Sequence, residues 1–190
     1  MVIVQKTDRI LISFRDAISI EDVLRAADAV NDLFDTADGV LKPIVVSLDS
    51  PGGTLNPAME FVRGMIGLGA EQKVTTFARR AGSAAAAIFL SGKERVVHPQ
   101  GRLLFHGVTI KTGIWELDPQ GRVPRSRIDL AWALHNELVD LLGQRTTLPK
   151  EQIVRMMQSS AGRYFSAEEA LRCGIATAIG DIDSPPASSV

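Results

Sequence analysis

Only one cysteine, Cys173, occurs among 190 residues. No internal disulfide can form, and a cysteine-built zinc site is excluded. Neither sign of charge is in excess: 21 Lys and Arg stand against 22 Asp and Glu, with no block of like charges. A nucleic-acid or anionic-membrane partner therefore has no electrostatic footprint here. No apolar run is long enough to span a bilayer. The opening Met-Val-Ile-Val-Gln-Lys-Thr-Asp-Arg lacks the basic lead and apolar stretch of a signal peptide. These absences lead us to expect a soluble, cytoplasmic protein, and a lone cysteine is compatible with a reducing compartment.

Hydrophobic residues are plentiful, at 45%. That is a globular composition in a chain of suitable length for one domain with a real core. We expect a single domain over residues 1–183 and a disordered tail, 184–190, rich in Ser and Pro.

Short apolar runs alternate with helical patterns. Strands are expected at Ile10–Phe14, Pro43–Leu48, Val74–Ala78, Val96–Val97 and Leu103–Phe105. Helices are expected from Ser19 to about Asp35, closed by Asp38-Gly39, and then at Asn56–Leu68, Ser83–Leu90 and Arg127–Arg145. Two more follow, one opened by Pro149 and one capped by Ser166 and Glu169. Nearly continuous apolar strands separated by helices predict an α/β fold, with a parallel sheet covered by helices.

In parallel sheets, sites gather where strands end. Three features fall there: Asp49-Ser50-Pro51-Gly52-Gly53 after one strand, Ser83 after the next, and His106 after a third. Ser83 is a candidate nucleophile and His106 a candidate base. The N–H of Ala84 and those of Gly52 and Gly53 are candidate donors to an oxyanion. Each feature also has an ordinary explanation. Ser83 could be a helix N-cap, Ser-Pro-Gly-Gly a turn, and His106 a structural histidine. His98, in a turn before Pro99, and His135, within a helix, read as structural.

At these residues the chain resembles the proteolytic subunit of the Clp protease and its phage-type ClpP-like relatives, over about Arg9 to Ile179. Strand plus Asp-Ser-Pro-Gly-Gly is similar to that family's oxyanion loop. Gly82-Ser83 followed by four alanines is similar to its nucleophile helix. Pro99-Gln100-Gly101-Arg102-Leu103-Leu104-Phe105-His106 resembles its histidine segment. Tyr164–Ala170 and Cys173-Gly174-Ile175 resemble its C-terminal signature.

The resemblance implies a ClpP/crotonase-like fold of repeated β-α units with a protruding handle, about residues 107–145. It implies serine endopeptidase chemistry on peptides or unfolded polypeptides, with no metal or cofactor. Ser83 would attack, His106 would act as base, Gly53 and Ala84 would hold the oxyanion, and Gly52 would contact substrate. Homo-oligomeric rings are implied, often fed by an AAA+ chaperone. The chain begins almost at its first core strand, where Clp subunits carry a pore-lining segment, so that chaperone is less expected here.

The family's triad aspartate sits four residues before the serine of Ser-Ala-Glu-Glu-Ala, and here that position is Gly162. Glu116 and Asp118, after His106, are the substitutes within reach by sequence. Three other readings follow. One is a weak or inactive ClpP-like scaffold or partner subunit. Another is a crotonase-type acyl-CoA enzyme, which would need Asp49 as its carboxylate. The last is a Ser-Lys peptidase using Lys93 or Lys111.

Overall fold

The computed structural model describes residues 2–5, 9–31, 42–68, 74–110, 116–118 and 120–182. The expected helix end near Asp35, the Asp38-Gly39 break, Lys111 and the tail 184–190 lie outside the described residues.

The strands are β1 (Val2–Gln5), β2 (Ile10–Ile18), β3 (Ile44–Gly53), β4 (Val74–Gly82), β5 (Glu94–Phe105), β6 (Arg163–Ser166) and β7 (Ala178–Ile179). The helices are α1 (Ile20–Asn31), α2 (Leu55–Leu68), α3 (Ala84–Leu90), α4 (Arg125–Arg145), α5 (Lys150–Met157) and α6 (Ala167–Arg172). All seven strands join one sheet in the order β1 to β6, with β7 pairing β5 beside this path. Strands β2 to β5 are parallel, as their apolar runs predict. The outer strands β1 and β6 pair antiparallel. The fold is mixed α/β with a central sheet, the expected class.

Alternate strand residues such as Ile10, Ile12, Phe14, Val46 and Leu48 point into one core with Val23, Met59, Val62 and Met65 of α1 and α2. Helix α3 is wholly buried. Its four alanines let its backbone lie close to the sheet, so a larger side chain there would overpack the core. Helix α4 differs: only Leu134, Leu138, Leu141 and Leu142 are buried, from its middle onward. No described helix is long and apolar enough to cross a membrane.

Several boundaries differ from the sequence expectation. Strand β2 continues past Phe14 through polar Arg15 and Asp16, with a bulge where Asp16 takes φ 59°. The Ser50 hydroxyl donates to the Asp16 carbonyl there. Ser50-Pro51-Gly52-Gly53 is not a turn: Gly52 and Gly53 still pair with Ala17 and Ile18. Val96–Val97 and Leu103–Phe105 are parts of one strand, β5, whose residues 98–101 bulge opposite Arg79. His98 therefore lies within that strand, where its Nδ1 accepts from the Gln100 N–H at 3.1 Å. Strands β1, β6 and β7 are short and carry no sequence signal that sets them apart.

Candidate active site

The ends of β3, β4 and β5 meet Arg127, Leu130, Ala131, Leu134 and Leu138 of α4 in a cleft of about 850 Å³. Gly52, Gly53, Ser83 and His106 all line it. The sequence-derived site residues are thus brought together at one sheet edge.

Ser83 sits where β4 turns into α3. It occupies the N-cap position, but its side chain accepts no capping bond. Its carbonyl does the capping, taking the N–H groups of Ala86 and Ala87 at 3.0 and 3.2 Å. Its backbone is held at φ 52° and ψ −121°. Such a conformation costs a non-glycine residue roughly 1–3 kcal/mol and persists only where the surroundings enforce it. One enforcing contact is the bond from the Ser83 N–H to the Leu104 carbonyl at 2.9 Å. The simple N-cap explanation for this serine therefore fails, because its hydroxyl is free of that task and half-buried at the cleft.

Gly52 takes φ 110°, a backbone that favours glycine. A Cβ on Gly52 would lie 2.5 Å from the Gly82 carbonyl oxygen, 2.7 Å from Ser83 Cβ and 3.2 Å from Ala84 N. The glycine strand end is thus pressed against the serine turn. Ala84 provides the first N–H of α3, which has no acceptor within its own helix.

His106 follows the end of β5 and is half-buried. Its Nδ1 lies 2.7 Å from the Gly107 carbonyl. A carbonyl only accepts, so Nδ1 carries the proton and Nε2 keeps its lone pair in the neutral ring. That is the tautomer a general base needs. No hydrogen bond joins Ser83 to His106 among the described residues; such bonds are often long before substrate binds.

Gly162 packs directly under His106. A Cβ there would collide with the Phe105 carbonyl and with Cβ of His106, and Gly162 has φ 65°. The two acids considered as substitutes are engaged elsewhere. Asp118 closes its own turn, accepting from the N–H groups of Gln120 and Arg122 at 2.9 and 2.8 Å. These bonds, the Arg122 N–H first, hold its carboxyl below the usual range. Glu116 pairs with Arg127 at 2.8 Å.

The other readings can be placed on the same map. Asp49 is bound to Arg80 at 3.1 Å and lines a separate, smaller cavity, so it does not supply a carboxylate to the main cleft. Lys93 precedes β5, with its N–H on the Val74 carbonyl, at the opposite edge of the sheet from Ser83. His135 packs edge-on against Trp132 at 5.5 Å on α4.

Sequence reasoning missed the far wall of the cleft. Ile110, Leu130, Leu134 and Leu138 give it an apolar lining, and Arg127 and Ser160 stand on its rim. It also missed Gly107, whose contribution is a backbone carbonyl and leaves no trace in residue type.

No curated protein matches the chain. A protein-family model does match, that of the Clp protease, over residues 19–183, a span that holds α1 to α6 and both sides of the cleft. On that match, this chain belongs to the Clp protease family, a family of peptidases.

Proposed function

We propose that the chain is a serine endopeptidase that cleaves peptides or unfolded polypeptides through an acyl-enzyme on Ser83. The observation that carries this reading is the backbone of Ser83, strained at φ 52° with its hydroxyl released from capping and open to the cleft that His106 lines. In the first step Ser83 Oγ attacks the scissile carbonyl while His106 Nε2 takes its proton. The N–H groups of Gly53 and Ala84 hold the resulting oxyanion, and Gly52 borders the substrate backbone. His106 then gives the proton to the departing amine. Water, deprotonated by the same nitrogen, releases the acyl group and restores Ser83. The apolar wall on α4 suits an apolar substrate side chain. The active form is a homo-oligomeric ring in which α4, with its uncovered first turns, contacts another subunit.

Labelling with a fluorophosphonate tests the reading. The wild type is expected to react, Ser83→Ala not at all, and His106→Ala slower by about 10²–10⁴-fold. An unlabelled wild type at high probe concentration would sink it. A second reading, a scaffold or partner subunit without activity, draws on Gly162 beneath His106. It predicts that same silence toward the probe.

A further inference from the structure

Gly107 is buried, and a Cβ there would collide with the Met157 carbonyl at the end of α5. Its N–H donates to the Ser159 carbonyl at 2.9 Å, while its own carbonyl faces His106 Nδ1 at 2.7 Å. The Ser159 hydroxyl reaches the other way and accepts from the Gly162 N–H at 3.3 Å. Gly162 in turn lies against His106 with no room for a side chain. Ser159 therefore grips both backbone segments that border His106: Gly107 at Nδ1 and Gly162 at Cα and Cβ. We propose that the Gly107 carbonyl stands in for the absent carboxylate in orienting His106, and that Ser159 is the positioning residue that holds it there.

The chemistry fits a partial substitution. A carbonyl oxygen can fix the ring plane and the tautomer as a carboxylate does, because both only accept. It carries a partial charge, so it stabilises the imidazolium of the transition state less than a full negative charge. No acid is needed for the first task. Asp118 and Glu116 are occupied by Arg122 and Arg127. The catalytic meaning of the proposal rests on the peptidase reading; the tautomer does not.

Nitrogen NMR of the full chain carrying ¹⁵N-histidine provides the test, with His106→Gln used to assign the signal. The wild type should show His106 protonated at Nδ1. Ser159→Ala removes the bond to the Gly162 N–H and leaves the Ser159 carbonyl on Gly107 in place; with the Gly162 segment loosened against His106, that preference should weaken and fluorophosphonate labelling slow about tenfold, the equivalent of one hydrogen bond. Ser159→Thr, which keeps the hydroxyl, should restore both. Should Ser159→Ala fail to fold, an amide-to-ester replacement at Val108 weakens the Gly107 acceptor, with loss of the Val108 N–H, and should give the same two changes. A wild-type His106 protonated at Nε2, or an ester variant with the wild-type tautomer and rate, overturns the proposal. A chain with the expected tautomer that ignores the probe overturns the peptidase reading and supports the orientation of His106.

Discussion

Gly162 shows how a single backbone position decides what a site can contain. The obvious repair, Gly162→Asp, would put a carboxylate at the family's position. It should fail here, because the β-carbon meets the Phe105 carbonyl and the backbone sits at φ 65°. We expect a loss of about 1–3 kcal/mol in stability from the backbone alone, and slower labelling of Ser83. Thermal unfolding and probe kinetics check both, and faster labelling would refute the steric argument. Arg95 makes a different point at the same scale. Its guanidinium is buried among carbonyls: Ile175 at 2.7 Å, Gly174 at 3.0 Å, Gly92 at 3.1 Å and Arg145 at 3.2 Å. These lie at or just beyond the C-terminal ends of α3, α4 and α6, where a cation is favoured. Burial pulls its pKa below the usual guanidinium range, with Arg145 adding to the shift. Arg95→Met should cost about 2–4 kcal/mol by leaving buried carbonyls without a donor, measured by urea denaturation. A variant as stable as wild type would show that water replaces the guanidinium.

Among the elements, α6 is the clearest case of local sequence dictating structure. Ser166 accepts from the Glu169 N–H at 3.2 Å, and Glu169 accepts from the Ser166 N–H at 3.0 Å, closing a capping box. The Ser166 N–H above all holds the Glu169 carboxyl below its ordinary value of 4.5, against the opposing effect of desolvation and with help from Arg163. A carboxyl lowered in the folded state stabilises it above the unfolded value, and that contribution fades as pH falls through the folded value. Ser166→Ala should cost about 1 kcal/mol near neutrality. In Glu169→Gln, the fall in melting temperature on acidification below about pH 4.5 should be shallower than in wild type. A parallel fall in both would remove Glu169 from the account. Ser19 and Asp22 close a similar box at the start of α1, each accepting from the other's N–H at 3.2 Å, and both are legible because they depend on residue type at fixed spacing. Strand ends were less so. Arg15, Asp16 and Ser50–Gly53 continue β2 and β3 through bulges, and their polar or glycine character hides a pairing that only neighbouring strands impose.

For the molecule as a whole, the sheet order explains why residues that line one cleft were legible in the sequence. Parallel strands place their ends together, so Gly52, Ser83 and His106 follow from topology once the strands are recognised. The orienting contacts could not be read this way. Gly107 and Gly162 contribute backbone atoms and Ser159 a carbonyl and a hydroxyl, brought together across α4 and α5, and no spacing rule connects them. Helix α4 carries the remaining question of assembly. Trp132 is 61% exposed on its uncovered first turns, while Arg63 and Glu137, 3.0 Å apart, tie α2 to α4 farther along. Trp132→Glu should therefore lower the mass seen by light scattering and leave the unfolding of the subunit itself nearly unchanged. An unaltered mass would place the subunit contact elsewhere.

The pairing of β5 with β6, Leu103 opposite Phe165 and Phe105 opposite Arg163, has a consequence in time. Ser83 and His106 leave the ribosome long before Ser159 and Gly162 do. Until that last segment docks, the Gly107 N–H has no partner and His106 has no floor. A growing chain therefore holds Ser83 and His106 without the contacts that align them. On the peptidase reading, docking of β6 and the segment before it is what aligns the site.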